Sequence, residues 1–492
     1  MTTQDSLIAG LPRAVLTPHA QRRRSRRRLA EALGTSARHL APLLPSYVRR
    51  SLTPAQVSSA MAASFQRLGA TYVKFGQLIA SAPGIVGDEF ADGFRGLLDG
   101  APPVPFPKVR ATIERELGRP LDDLFVSFDQ VPLAAASMAV VHRAELPDGR
   151  VVAVKVLRPG IEDVLDDDLS ILRSLVTEMA AAVGTLEARI AVDLVSGLRE
   201  QLEQEVDFTL ERAAMEEARR IVADLGEDVL VVPAPVPELC SQRVLTMEHL
   251  DGVAIDDLDA IAARGHDVQP IVLALVRAWF ASALRHGTFH GDVHAGNLMV
   301  LTDGRIGVVD WGIVGRLDDT TRRLFRLMVA GALGDEDAWE PAAELMLGRM
   351  FTPEQLVDLG ITAADTAPLL RTRVGGMLTR PFNEVNLAEM LEGPPVPVDL
   401  GERPPPGVVL RRLARRRLRR RPAGGVGAGA GAGVGAGAGA GVGADGRDEL
   451  GIAFDRQMFL LTKQLAYFER YGKLYLGDRP LLHDPEVFRA FL

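Results

Sequence analysis

The stretch His290-Gly291-Asp292-Val293-His294-Ala295-Gly296-Asn297, followed by Val308-Val309-Asp310-Trp311-Gly312, decides how this chain folds. Transfer of a phosphoryl group from ATP asks for little covalent chemistry from a protein. The nucleophile must be positioned and the phosphate charge neutralised by metal. An Asp that orients the acceptor hydroxyl, an Asn five residues later on Mg²⁺, and a further Asp opening an Asp-x-Gly turn on the same metal meet that need. Asp292, Asn297 and Asp310 stand at those spacings, so Asp292 is the candidate catalytic aspartate and Asn297 and Asp310 are the candidate metal ligands. Asp310 ends a short apolar run that reads as a strand, and Gly312 is expected to permit the turn after it. Two unrelated Asp-Gly loops with ordinary polar histidines would give the same letters. A zinc site at His290 and His294 lacks a third ligand in a recognised pattern.

Upstream, Val152-Ala153-Val154-Lys155 has the form of the strand lysine that grips the α/β-phosphates in a kinase-type site. The preceding Asp148-Gly149 marks a hairpin turn. Lysine usage sharpens the reading of Lys155. Of the 56 Lys and Arg residues only five are lysine: Lys74, Lys108, Lys155, Lys463 and Lys473. Where positive charge alone suffices this chain uses Arg, so a lysine on an apolar strand points to specific chemistry. Lys74 gains by the same argument. Where a kinase places its Gly-rich phosphate loop stands Leu133-Ala134-Ala135-Ala136-Ser137-Met138. Alanine does not readily take the positive φ that lets glycine amides wrap a phosphate, so a nucleotide is expected to be held differently here.

The chain has 492 residues, ordinary apolar and charged fractions, and a net charge of −8, which argues against general nucleic-acid binding. One cysteine, Cys240, excludes an internal disulfide and fits a reducing compartment. Residues 1–50 read as a basic flexible arm. Residues 51–107 read as a helical extension, 108–250 as an N-lobe and 251–392 as a C-lobe. Residues 393–448 read as a Pro/Arg/Gly-Ala-rich linker and 449–492 as a C-terminal helical segment that docks on the body. Within the linker, 423–444 contain only Gly, Ala and Val. Eleven of the 22 are Gly, which costs a helix about 1 kcal/mol each relative to Ala and disfavours a membrane span. The apolar stretch Ile271–Leu284 is broken by Arg277 and reads as too short to span a bilayer. The arginine runs Arg22–Arg28 and Arg411–Arg421 read as solvated arms or as contacts to an anionic membrane surface.

Together these pieces resemble the UbiB-type atypical kinases, a protein-kinase-like family linked to ubiquinone synthesis. Lys74-Phe75-Gly76-Gln77 is similar to the family's Lys-x-Gly-Gln signature, and Ala134–Ser137 to its alanine-rich loop. Val141-His142-Arg143-Ala144 is similar to the strand that follows, and Leu245-Thr246-Met247-Glu248 to the segment joining the lobes. Glu205-Val206-Asp207-Phe208 is similar to the Glu-x-Asp element, with Glu211 where the helix glutamate that pairs with Lys155 should fall. The resemblance implies an α+β, two-lobed protein-kinase-like fold with an N-terminal helical extension over the active site. It implies catalytic roles for Asp292, Lys155, Glu211 and Lys74, with Lys74 engaging Glu205 and Asp207. It implies nucleotide contacts at Ala134, Ala135, Ala136, Ser137, Lys155 and Glu248. Ala139-Val140 depart from the Gly-Gln common at that place in the family.

The expected function is thus an ATP- and Mg²⁺-dependent atypical kinase or ATPase supporting lipid-quinone or membrane-lipid metabolism. An aminoglycoside- or choline-like phosphotransferase would share the loop letters but lack Lys74–Gln77 and Ala134–Ser137. A pseudokinase scaffold is a third option. The expected setting is cytoplasmic, with peripheral attachment to the inner membrane face left open.

Overall fold

The computed structural model describes residues 18–49, 51–80, 88–97, 104–183, 195, 198–199, 201–226, 228–385 and 456–492. The linker expected over 393–448, with the second arginine run, lies outside them.

The first described element is α1 (Pro18–Leu40), where a flexible basic arm was expected. Two of its arginines, Arg24 and Arg28, face inward onto acids far along the chain. Arg28 grips Asp168 with two bonds of 2.7 and 2.9 Å, and Arg24 reaches Asp163 and Asp167 at 2.8 Å. Bidentate guanidinium–carboxylate bonds are directional and strong, so they dock the helix. The expectation of a solvated arm is corrected for residues 18–40, while Arg26 and Arg27 stay exposed. Next come α2 (Pro54–Leu68) and α3 (Ala70–Ala80). Helix α2 starts with a reciprocal capping box between Thr53 and Gln56, with Pro54 at the first turn where its missing N–H costs nothing.

After α4 (Phe106–Leu117) the chain builds an antiparallel upper sheet from β1 (Ser127–Phe128), β2 (Ala134–Ala135), β3 (Ala139–Glu145) and β4 (Val151–Leu157). The Gly149 turn, at φ 85°, joins β3 to β4 as expected. Then follow α5 (Ile161–Val183) and α6 (Phe208–Leu225). β5 (Leu230–Val231) precedes β6 (Val244–Glu248), which completes the upper sheet in the order β1-β3-β4-β6 with β2 also on β3.

Below lies the second lobe: β7 (Gly252–Ala254), α7 (Val268–Ala281), β8 (Thr288–His290), β9 (Leu298–Leu301), β10 (Ile306–Val308) and β11 (Val314–Arg316). Helices α8 (Asp319–Ala332), α9 (Trp339–Met350) and α10 (Arg456–Tyr471) follow. β5 pairs in parallel with β10, so it belongs to the lower sheet β5-β10-β9-β7 although it lies inside the stretch expected to form the N-lobe.

Buried side chains form three separate cores. The upper sheet packs Val152, Val154 and Val156 against Val109 and Ile113 of α4. The helical extension buries Phe65, Tyr72, Phe75 and Phe94 against Leu165, Leu169 and Leu172 of α5 and Leu198 and Leu202. Helix α5 therefore completes the extension's core rather than the sheet's, although it lies within the stretch 108–250 expected to form the N-lobe. The third core is the lower lobe, and it includes Leu460, Leu461, Leu465, Phe468 and Tyr471 of α10. Docking of the C-terminal segment is thus as expected.

Helix α7 and its π-turn continuation cover Val268–His286, 19 residues, long and apolar enough by composition to cross a membrane. The expectation that this stretch is too short is corrected. It is mostly buried, with Trp279 and Phe280 packed in the lower core as in the central helix of a globular lobe.

Candidate active site

Strand periodicity places Lys155. Along β4, alternate residues face opposite sides, so Val154 and Val156 enter the upper core while Ala153 and Leu157 face the lower one. Lys155 shares the second face, and its Nζ lies 2.8 and 3.0 Å from the carboxylate oxygens of buried Glu211. Asp207 caps the N-terminus of α6 by accepting from Thr209 N at 2.9 Å, which starts the helix one turn before Glu211. The Phe208 ring covers the ammonium at 5.3 Å.

The same ammonium is 3.2 Å from Asp310 Oδ1. Among the described residues Asp310 alone combines a side chain with a positive φ, 62°. The turn is therefore made at Asp310 itself, and not at Gly312 as expected. A non-glycine in this region is strained and has to be held by its surroundings. The holders are visible. Gly312 N donates to Asp310 Oδ1 at 3.2 Å, Trp311 N donates to Glu211 Oε1 at 3.2 Å, and His290 Nε2 bonds Asp310 O at 2.9 Å.

His290 links the two loops. Its Nδ1 accepts from Asp292 N at 3.1 Å, which fixes the tautomer with the proton on Nε2. Burial lowers its pKa and keeps it neutral. With both ring nitrogens spent on the backbone, His290 has no lone pair to offer a zinc ion. Asn297 Nδ2 donates to Asp292 O at 3.0 Å, which tightens the loop.

Helix α10 supplies what the sequence reading did not find. Gln464 donates to Gly291 O at 2.6 Å and accepts from Val293 N at 2.9 Å, and Tyr471 OH donates to Val293 O at 2.7 Å. Lys463 Nζ lies 2.7 Å from Asp292 Oδ1. The scarcity of lysine, which singled out Lys155 and Lys74, applied to Lys463 as well.

Lys74 projects from α3 to 3.6 Å from Glu205 Oε2. Asp207, expected as its second partner, is instead the cap of α6. The remaining letters of Lys74–Gln77 serve packing: a Cβ on Gly76 would stand 2.2 Å from Leu97 Cδ1 and 3.0 Å from Phe94.

Charge in the cleft is strongly coupled. Burial opposes ionisation of Asp310, but Lys155, the Gly312 amide and Lys74 bring its pKa down to about 2. Burial likewise opposes the charge on Asp292, and Lys463, His294 and Lys74 overcome it and hold the pKa below the ordinary value. Burial pushes Glu211 up to about 6 against the pull of Lys155. Lys155 is desolvated too, yet Asp310 and Glu211 raise its pKa.

Two groups of expected residues are not part of this cluster. Ala134 and Ala135 form β2, Ala136 N donates to Ala139 O at 2.9 Å to close the hairpin, and Ser137 is buried. This loop turns without any left-handed residue, as expected of alanine. Glu248 ends β6, where its amide and its carboxylate are both engaged by Ala234.

Residues 96–340 match the model of the ABC1 atypical kinase-like domain. The chain is 32% identical over 431 residues to an uncharacterized aarF domain-containing protein kinase of the Arabidopsis thaliana chloroplast, covering 86% of this chain and 73% of that protein. It is 42% identical over 278 residues to an uncharacterized Mycobacterium tuberculosis protein, covering 56% of each. A Mycobacterium tuberculosis protein solved in complex with erythromycin superposes with a TM-score of 0.45 and 24% identity, over 69% of this chain and 85% of its own.

Proposed function

The chain belongs to the ABC1 atypical kinase-like family, and from that premise we propose that it binds Mg·ATP between its lobes and hydrolyses or transfers the γ-phosphate. The observation that carries this reading is the closed Lys155–Glu211 pair with Asp310 on the same ammonium. A kinase site needs both in place before chemistry. The donors fit a hard cation. Asn297 spends its nitrogen on Asp292 O, which leaves its amide oxygen as the free end. Asp310 is ionised across the working pH range. No group of three or more His, Cys, Asp or Glu that could hold a metal occurs among the described residues. One Asp, one Asn, phosphate oxygens and water make up the oxygen shell that Mg²⁺ prefers. Mg²⁺ held there would supply the charge neutralisation that phosphoryl transfer needs.

In this reading Lys155 grips the α/β-phosphates and Glu211 keeps it aimed. Asp292 accepts the proton of the attacking hydroxyl or water. The Ala134–Ser137 hairpin covers the phosphates less closely than a glycine loop. Lys74 places a further positive charge beside Asp292 and Asp310 and closes the cleft to large substrates, which favours ATP hydrolysis or a small acceptor over a protein substrate. Lipid-quinone or membrane-lipid metabolism is the setting suggested by the resemblance. Exposed Arg26 and Arg27 of α1 are the described part of the first basic run left for an anionic membrane, since Arg24 and Arg28 are spent inside. The tight packing of Gly76 favours this reading over an aminoglycoside- or choline-like phosphotransferase, because it ties the Lys74 helix firmly to the extension.

The test is ATP hydrolysis and nucleotide-induced thermal shift by purified protein, with and without Mg²⁺ and anionic vesicles, beside Asp310→Asn. The wild type should turn over only with Mg²⁺, and the variant should lose the Mg·ATP shift while keeping its fold. An unchanged shift in Asp310→Asn sinks the metal assignment. Equal turnover with anionic and neutral vesicles sinks the membrane reading.

A further inference from the structure

The loop 290–297 contains no lysine or arginine, yet its aspartate is paired with an ammonium. We propose that Lys463, brought from α10 at the far end of the chain, is a positioning residue of this loop: it pins one oxygen of Asp292 and so aims the other at the phosphate acceptor. This rests on the reading of Asp292 as the proton-accepting aspartate.

Separate groups hold the main chain and the side chain here. Gln464 and Tyr471 fix Gly291 and Val293 on either side of Asp292, so the backbone is set without help from Lys463. The Asp292 carboxylate can still rotate about its two side-chain bonds. Lys463 Nζ takes Oδ1 at 2.7 Å, while Oδ2 has His294 Nε2 at 3.7 Å, beyond hydrogen-bond range. Lys463 is itself confined, since its ammonium lies 5.7 Å from the centre of the Tyr467 ring and its helix is rooted in the lower core by Leu460, Leu461, Leu465 and Phe468. Among the described residues the other charged or titratable groups that act on Asp292 are Lys74, His294 and His290, and Lys463 is the one that bonds Oδ1.

In the transfer step the acceptor O–H proton passes to Oδ2 as the new O–P bond forms. The bond from the γ-phosphorus to the β,γ-bridging oxygen breaks, and its electron pair leaves on ADP. A reacting group misplaced by 1 Å can cost about 10²-fold in rate, and this is the size of effect an unpinned Asp292 should show.

The experiment measures steady-state Mg·ATP hydrolysis by the full-length chain for Lys463→Met, Lys463→Arg and Lys463→Ala, with Asp292→Asn alongside. Lys463→Met should lower kcat about 10²-fold with KM for ATP within about twofold of wild type. Lys463→Arg should recover part of the loss. Methylammonium or ethylammonium should restore Lys463→Ala saturably, an effect that a merely structural lysine would not show. Wild-type kcat in Lys463→Met overturns the proposal, and so does a loss that neither arginine nor an added amine relieves. If Asp292→Asn retains full activity, the reading of Asp292 has failed and the proposal falls with it, whereas inactive Asp292→Asn beside wild-type kcat in Lys463→Met overturns the role of Lys463 alone.

Discussion

Two lysines enter one cleft from opposite ends of the chain, and the structure treats them differently. Lys74 comes from the helical extension, whose core is separate from that of the lower lobe, and it meets Glu205 loosely at 3.6 Å. Lys463 comes from a helix that is part of the lower-lobe core and meets Asp292 at 2.7 Å. The difference lies in which core anchors each lysine. Lys463 shares the core of the loop it serves, while Lys74 belongs to the core of the extension.

The comparison assumes a charged floor common to both lysines, and Lys155→Met removes it. Breaking a buried pair costs about 3–5 kcal/mol because the surviving charge is stranded. Here Glu211 can escape by taking a proton. Its folded pKa of about 6 stands above the ordinary 4.5, so its contribution to stability is full below pH 4.5 and is lost as pH rises through about 6. Without Lys155 that upper edge moves higher. Urea unfolding should show Lys155→Met destabilised more at pH 8 than at pH 6, and an equal loss at both would show that Glu211 stays charged.

Gly76→Ala tests whether the bundle is a separate body. The added methyl meets Leu97 Cδ1 at 2.2 Å, and overpacking of this kind costs about 1–3 kcal/mol. Amide exchange should rise in α2, α3 and α5 and stay unchanged in α10. Equal loosening of α10 would merge the two bodies and remove the contrast.

The smallest effect is expected from Lys74→Ala. Its pair is partly exposed and long, so ATP turnover should fall by about tenfold, about 1.4 kcal/mol, with nucleotide affinity kept. If turnover and affinity both match wild type, Lys74 is a surface lysine on a packing helix.

Much of the site could be read from the sequence because its chemistry demands contiguous spacing. Asp292, Asn297 and Asp310 are fixed by loop geometry, and Lys155 by a strand of period two. The extension was recognisable through Gly76 and its neighbours. What could not be read involves partners far apart in sequence. Arg28 binds Asp168 across 140 residues and Lys463 binds Asp292 across 171, and no local pattern records either. Asp207 was missed for another reason: a carboxylate before a helix can face a cleft or cap that helix, and the letters are the same for both. The strain at Asp310 was assigned to the neighbouring glycine because glycine is the usual bearer of positive φ.

The reach of Gln464 back to Val293 also has a consequence for how the protein is made. At 5–20 residues per second, a ribosome takes about 9–34 s to travel the 171 residues between loop and brace. During that interval the nascent lobe holds Asp292 and Asp310 but neither Lys463 nor the glutamine clamp. The two aspartates of the cleft are thus translated well before the helix that braces their loop.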